Sequence, residues 1–190
     1  MIIPTPQGTV VPDAAEVGAA ISELLKARET GSLAVISPDG FPAAPTMHFA
    51  ADGLTLYMHV FTYTRTYFAV QRNPRVGYTV DHIPEGGLEA LANQRVVQVT
   101  GVATAVTDTD EVEHAIALSR EQFHWLADER IFSMFRNAGI ERRNAFFRID
   151  PREALWSDNR VHNGWRTLVA FTPDGHGVAA LTPYPATATG

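Results

Sequence analysis

The sequence has no cysteine, which excludes disulfides, thiol nucleophiles and thiolate metal ligands together. That usage suits a cytosolic protein. No apolar run approaches the roughly 20 residues of a membrane-spanning helix, and the N-terminal MIIPTPQGTVVPD has no basic stretch followed by an apolar one. A soluble, unexported, cytoplasmic protein is expected, with no membrane partner. Basic residues are also in deficit, since 15 Lys and Arg stand against 21 Asp and Glu for a formal charge of −6. Nucleic-acid binding relies on such residues to neutralise phosphates and is disfavoured. The sequence has no Gly-x-Ser-x-Gly elbow and no Walker motif, and its seven histidines form no His-Glu-x-x-His pair or other tight ligand spacing. No metal site is expected, and any redox chemistry needs a cofactor.

What is present is a chain of 190 residues, 45% hydrophobic, long enough for one full core. Residues 1–11 read as an arm and 184–190 as a flexible tail on a single domain spanning 1–190. Pro12 and Asp13 open a helix with Val17, Ile21, Leu24 and Leu25 on one face. Short apolar segments at Ser32–Ser37, Ala43–Phe49 and Leu54–Val60, joined by Pro38-Asp39-Gly40 and Ala51-Asp52-Gly53, predict an antiparallel meander. Arg65–Arg72 reads as a short helix closed by Asn73-Pro74, because proline cannot continue it. Strand Arg75–Val80, a polar loop 81–94 and a long β-branched strand Arg95–Thr107 follow. Asp108–Glu111 starts a helix expected to reach about Leu126, residues 127–144 are charged without a clear pattern, and Ala145–Asp150 and Ala154–Trp156 read as strands flanking Pro151. A final hairpin, Arg166–Phe171 and Val178–Leu181, turns at Pro173-Asp174-Gly175. Meander order with few helices predicts a mainly β fold, a barrel with peripheral helices, and argues against a doubly wound sheet.

The order of these segments is itself a pattern. A helix, LAVISPDGFPAAPTMHF, a strand running into Thr64-Arg65-Thr66, QRNPRVGYTV, then RVVQVTGVATAVTD and a helix together resemble the pyridoxamine 5′-phosphate oxidase-like family of FMN-binding split barrels. The resemblance implies an antiparallel split barrel, a homodimer, and an FMN-dependent oxidoreductase acting on a small-molecule substrate. A deazaflavin-dependent reductase and a non-catalytic flavin- or haem-binding protein are the alternatives.

In that family a Ser-x-Lys loop before a helix ending in Asn-Pro-Arg-Val donates to the flavin phosphate, and here Thr64, Arg65 and Thr66 stand in that place. Hydroxyls, a guanidinium and a helix N-terminus together suit a phosphate. Thr66 replaces the family's lysine, and the plain alternative is that Thr64 only caps the helix. By the same resemblance His48, Thr62 and Gln98 are candidate cofactor contacts, although a strand histidine and a solvent-facing or dimer-contact glutamine are equally open readings. Trp156–His162 resembles the segment with which these oxidases hold substrate, making Arg160 and His162 candidate substrate residues beside the reading of a plain loop. The aromatics Phe123, Trp125, Phe132, Phe135, Phe146 and Phe147 suggest core or subunit contact, with burial in a dimer as the expectation.

Overall fold

Asp13 starts helix α1 (Ala14–Lys26): its carboxylate accepts from the Glu16 amide and Glu16 accepts from the Asp13 amide, both at 2.9 Å. This reciprocal cap satisfies two otherwise orphaned donors. The stripe Val17, Ile21, Leu24 and Leu25 is buried as its spacing predicts. The computed structural model describes residues 10–125, 129–136 and 143–184, so the expected arm lies outside them up to residue 9 and the expected tail from residue 185.

Among the described residues nine strands follow in a single antiparallel sheet: β1 (Thr30–Ile36), β2 (Pro42–Ala43), β3 (Thr46–Asp52), β4 (Thr55–Phe61), β5 (Arg75–His82), β6 (Arg95–Ala105), β7 (Asn144–Asp158), β8 (Arg166–Phe171) and β9 (Val178–Pro183). Helix α2 (Arg65–Arg72) follows β4, while α3 (Thr109–Gln122) and α4 (Glu129–Arg136) lie between β6 and β7. The ladder runs β4-β3-β1-β5-β6-β7, and β4 also pairs with β7, which closes six strands into a barrel. Closure leaves no exposed edge among them. Beyond β7 the sheet continues through β8 and β9.

The length of β7 makes this possible. One of its edges follows β6; the other pairs with β4 over Asn144–Ile149 and with β8 over Glu153–Ser157, so 150–152 have no strand there. The barrel is split at this fork. Pro151 stands at it, opposite an irregularity in the β6 ladder at Thr100/Gly101, the kind of position where a sheet tolerates proline. Gly101 is required by contact, because a Cβ there would come within 2.6 Å of the Asp150 carbonyl oxygen.

Alternation fills the interior. Val97 and Val99 point in while Gln98 and Thr100 point out, and Leu33, Phe49, Leu56, Tyr78, Phe147 and Trp156 join one core with the α1 stripe and with Ala69 and Val70 of α2. A second cluster lies on the outer face of β3, β4 and β7. There α3 and α4 cover Ala50, Tyr57 and Phe146 with Ile116, Phe123, Phe132 and Phe135. Five of the six late aromatics are thus buried within the single chain, and only Trp125 is exposed.

Several elements differ from the sequence expectation, among them the polar loop 81–94, where β5 runs on to His82 and Leu88–Asn93 form a short 3-10 helix. Ala44-Pro45 divides the expected Ala43–Phe49 strand into β2 and β3, and β7 continues through Pro151 instead of stopping there. Helix α3 ends at Gln122, where Phe123 leaves helical geometry and buries its ring; Leu126 lies outside the described residues. Helix α4 occupies part of the segment without a clear pattern, burying Phe132 and Phe135 at i, i+3 spacing.

Candidate functional site

At the far end of β4 the ladder to β7 runs to Phe61 opposite Asn144, and the Thr62 amide then donates to the Arg143 carbonyl at 2.9 Å. The chain turns into α2. Thr64 is the N-cap: its hydroxyl donates to the Phe61 carbonyl at 2.8 Å and accepts from the Tyr67 amide at 3.3 Å, while the Phe68 amide donates to the Thr64 carbonyl. This cap uses the third and fourth amides of the helix and leaves those of Arg65 and Thr66. Arg65 is exposed and makes no hydrogen bond or ion pair to any described residue. Thr66 is half-buried. Arg72, at the other end of α2, donates to the Pro38 carbonyl at 3.0 Å and is not part of this group.

Two features of this terminus carry no sequence motif. Arg143 is brought beside Thr62 by the β4–β7 ladder, so a second exposed guanidinium leaves the backbone next to the loop. The only local sign of it is the basic pair before the strand. Phe61 and Tyr63 stack at 5.4 Å and 22°, both exposed, as is Phe68.

His48 on β3 pairs directly with His59 on β4, both on the outer barrel face. His48 is exposed, its ring edge-on to Phe123 and Trp125 at 6.4 Å each. His59 lies deeper, among Phe123, Phe135 and Phe146. Burial first, and repulsion from His48 second, push its imidazole down to about 3. It is therefore neutral. The Ser119 hydroxyl donates to the Ala115 carbonyl at 2.6 Å and so accepts from His59 at 2.8 Å, which assigns the Nε2–H tautomer.

Gln98 points outward into a separate shallow groove of about 680 Å³ over β1, β5, β6, β7 and β8, among Ala34, Gly77, Thr100, Leu155 and Leu168. Three strand spacings separate it from His48, roughly 14 Å across the sheet. The chain does not bring Gln98 together with the α2 terminus.

Arg160 lies in the turn after β7. Its Nε and Nη2 donate to the two oxygens of Asp158 at 2.9 and 2.7 Å, and Glu23 stands 3.7 Å away. That guanidinium is already paired. It borders a cleft of about 570 Å³ with Trp156 and α1, while His162 is half-buried on the same turn and its Nδ1–H donates to the Asn163 carbonyl at 3.2 Å. The six cofactor candidates thus divide into the α2 terminus, the His48 face and the Gln98 groove, with the two substrate candidates at a fourth place.

The family model for pyridoxamine 5′-phosphate oxidase matches residues 17–155. No curated relative matches the sequence. Among solved structures, a haem-binding protein from Mycobacterium smegmatis superposes with a TM-score of 0.63 at 18% identity, over 85% of this chain and 59% of that one. The chain spans less than two thirds of that protein's length. A FAD-binding protein from Mesorhizobium loti superposes at 0.52 with 21% identity, covering 71% and 89% of the two chains, and an F420 reductase at 0.50 with 22%, covering 77% and 98%. Identities this low show a common fold.

Proposed function

We propose a function for this chain from one premise: it belongs to the pyridoxamine 5′-phosphate oxidase family. It binds a flavin, FMN in the first instance, by the phosphate at the N-terminus of α2, and acts as an oxidoreductase on a small organic molecule. The observation that carries this reading is the state of that terminus. Thr64 completes the cap, and the Arg65 guanidinium and the first two amides remain free of described partners and able to donate to an anion.

The residues fit a phosphate group. Arg65 supplies a fork of charged donors, and Arg143 replaces the positive charge that is missing where this chain has Thr66 in place of the family's lysine. The exposed rings of Phe61, Tyr63 and Phe68 offer apolar surface beside these donors. Bound flavin supplies the electron or hydride chemistry, and the protein binds, orients and shields it. A homodimer belongs to the same reading. The groove around Gln98, floored by small side chains with Leu168 exposed, suits a second copy, which would add groups to a cleft that one protomer leaves open.

Titration of the purified protein with FMN, followed by quenching of flavin fluorescence, tests this. Arg65→Ala should weaken binding by about 1.5–3 kcal/mol, the scale of a charge-assisted hydrogen bond, with no change in thermal midpoint. Unchanged affinity refutes the phosphate site. Saturable binding of the deazaflavin in place of FMN moves the reading to a deazaflavin-dependent reductase. A haem reading is favoured by one observation, the exposed His48 imidazole flanked by Phe123 and Trp125. It requires a Soret band that His48→Ala abolishes.

A further inference from the structure

The fork in β7 holds a polar cavity at the opposite end of β4 from Arg65, roughly 20 Å away by strand rise. Its volume is about 890 Å³, and Thr55 of β4, Asp150 and Arg148 of β7 and the β8–β9 turn line it. The geometry points to a binding site for an organic cation, a primary amine or short diamine, distinct from the proposed flavin site.

Three observations converge on one point of its wall. Thr55 is 3% exposed, and its hydroxyl has no hydrogen-bond partner, a costly condition for a buried polar group. Gly175 adopts φ +74°, and a Cβ on it would meet the Thr55 hydroxyl at 3.6 Å, Asp150 Cβ at 3.8 Å and Pro151 at 3.3 Å. The missing side chain lets the turn pack closely against an unused acceptor and a carboxylate, both on the cavity wall. Asp150 itself accepts a single N–H, from Arg148 Nε at 3.1 Å to each oxygen, so lone pairs remain free.

Charge selects the ligand. The carboxylates of Asp52, Asp150, Glu153 and Asp174 line the cavity, and Glu111 adjoins it through Arg148 at 2.7 Å; two guanidiniums, Arg148 and Arg152, oppose these five. Asp174 stays ionised, because donation from the Thr172 hydroxyl and the His176 amide holds its carboxyl below the usual range. The surplus is negative, which disfavours an anion. Among the described residues no three His, Asp or Glu side chains converge as metal ligands, and one carboxylate beside one hydroxyl suits the several N–H donors of an organic ammonium better than a metal ion. An ammonium donates to both Asp150 and the Thr55 hydroxyl, giving the orphan oxygen its partner.

Calorimetric titration of the full chain with 1,4-diaminobutane at low ionic strength tests the site. One saturable event per chain is expected, weakened about fivefold or more by Thr55→Val and by Asp150→Asn. Thr55→Val should leave the thermal midpoint unchanged or raise it, because it removes an unpaired buried hydroxyl. Added FMN should leave the diamine affinity unaltered. Absence of saturation up to about 10 mM overturns the proposal. So does binding that both substitutions leave within about twofold, since diffuse surface attraction would then explain it.

Discussion

The barrel interior and the layer beneath α3 and α4 both bury large aromatic rings, yet they do so under different rules. Inside, Phe49, Phe147 and Trp156 meet other apolar groups, and the Tyr78 hydroxyl has no partner, so burial pushes its phenol up. Outside, rings of similar size enclose His59, and the neighbouring Gln122 and Ser119 have their hydrogen bonds made. Cohesion of the interior comes from apolar area. The outer layer adds polar bonds that hold only if every member is present.

Truncations give the largest expected effect. Phe146 and Phe147 are neighbours in β7 pointing to opposite layers, each no more than 2% exposed. Ala at either should cost about 3–5 kcal/mol in chemical denaturation. Phe147→Ala should destabilise the whole barrel in one transition. Phe146→Ala should instead let α3 and α4 amides exchange while the β5 and β6 amides stay protected. Equal loss of protection in both would show that the two layers fold as one unit.

Gln122 comes next. Its Oε1 accepts from the Ala51 amide at 2.9 Å, and its Nε2 donates to the carbonyls of Leu25, Phe49 and Arg28, so one side chain ties α3 to β3 and to the end of α1. Gln122→Leu keeps the volume but orphans these groups, and should cost about 2–3 kcal/mol in the same assay. A cost below about 0.5 kcal/mol would reduce the outer layer to simple area burial.

His59 makes the contrast dependent on pH. Its imidazole would take a proton near 6.5 in the unfolded chain but only near 3 in the folded one. Between those values the unfolded state binds more protons, so stability falls as pH falls, by up to about 1.4 kcal/mol per unit. His59→Phe should flatten this acid limb. A wild-type curve level from pH 7 to 4.5 would contradict the burial of His59.

The two layers also differ in how legible they were. A short apolar run ending at a turn signal marked β1, β-branched content marked β6, and Asn73-Pro74 closed α2 where predicted, because those signals are local. Proline at 151 suggested two strands, since only the fold reveals that β7 changes partners there. Phe132 and Phe135 suggested a dimer surface because aromatic content does not say which face covers it. Nothing local marks Gln122 or the His59–Ser119 bond, whose partners lie 60 or more residues apart. At the candidate site, Thr64-Arg65-Thr66 was readable as a loop entering a helix, whereas Arg143 required the ladder.

The smallest expected effect separates two roles within that loop. Thr64 and Arg65 are adjacent, yet Thr64 spends its hydroxyl on the chain while Arg65 makes no described contact. Thr64→Ala should therefore lower stability by about 1 kcal/mol, the usual worth of a threonine cap, and Arg65→Ala should leave it unchanged. Flavin affinity should follow the reverse order: Arg65→Ala weakens it more, because Thr64→Ala keeps the helix amides and the guanidinium. Should Thr64→Ala prove the more damaging to binding, the Thr64 hydroxyl would have to leave the Phe61 carbonyl for the phosphate. The cap would then be a resting contact, and the loop would rearrange when the cofactor arrives.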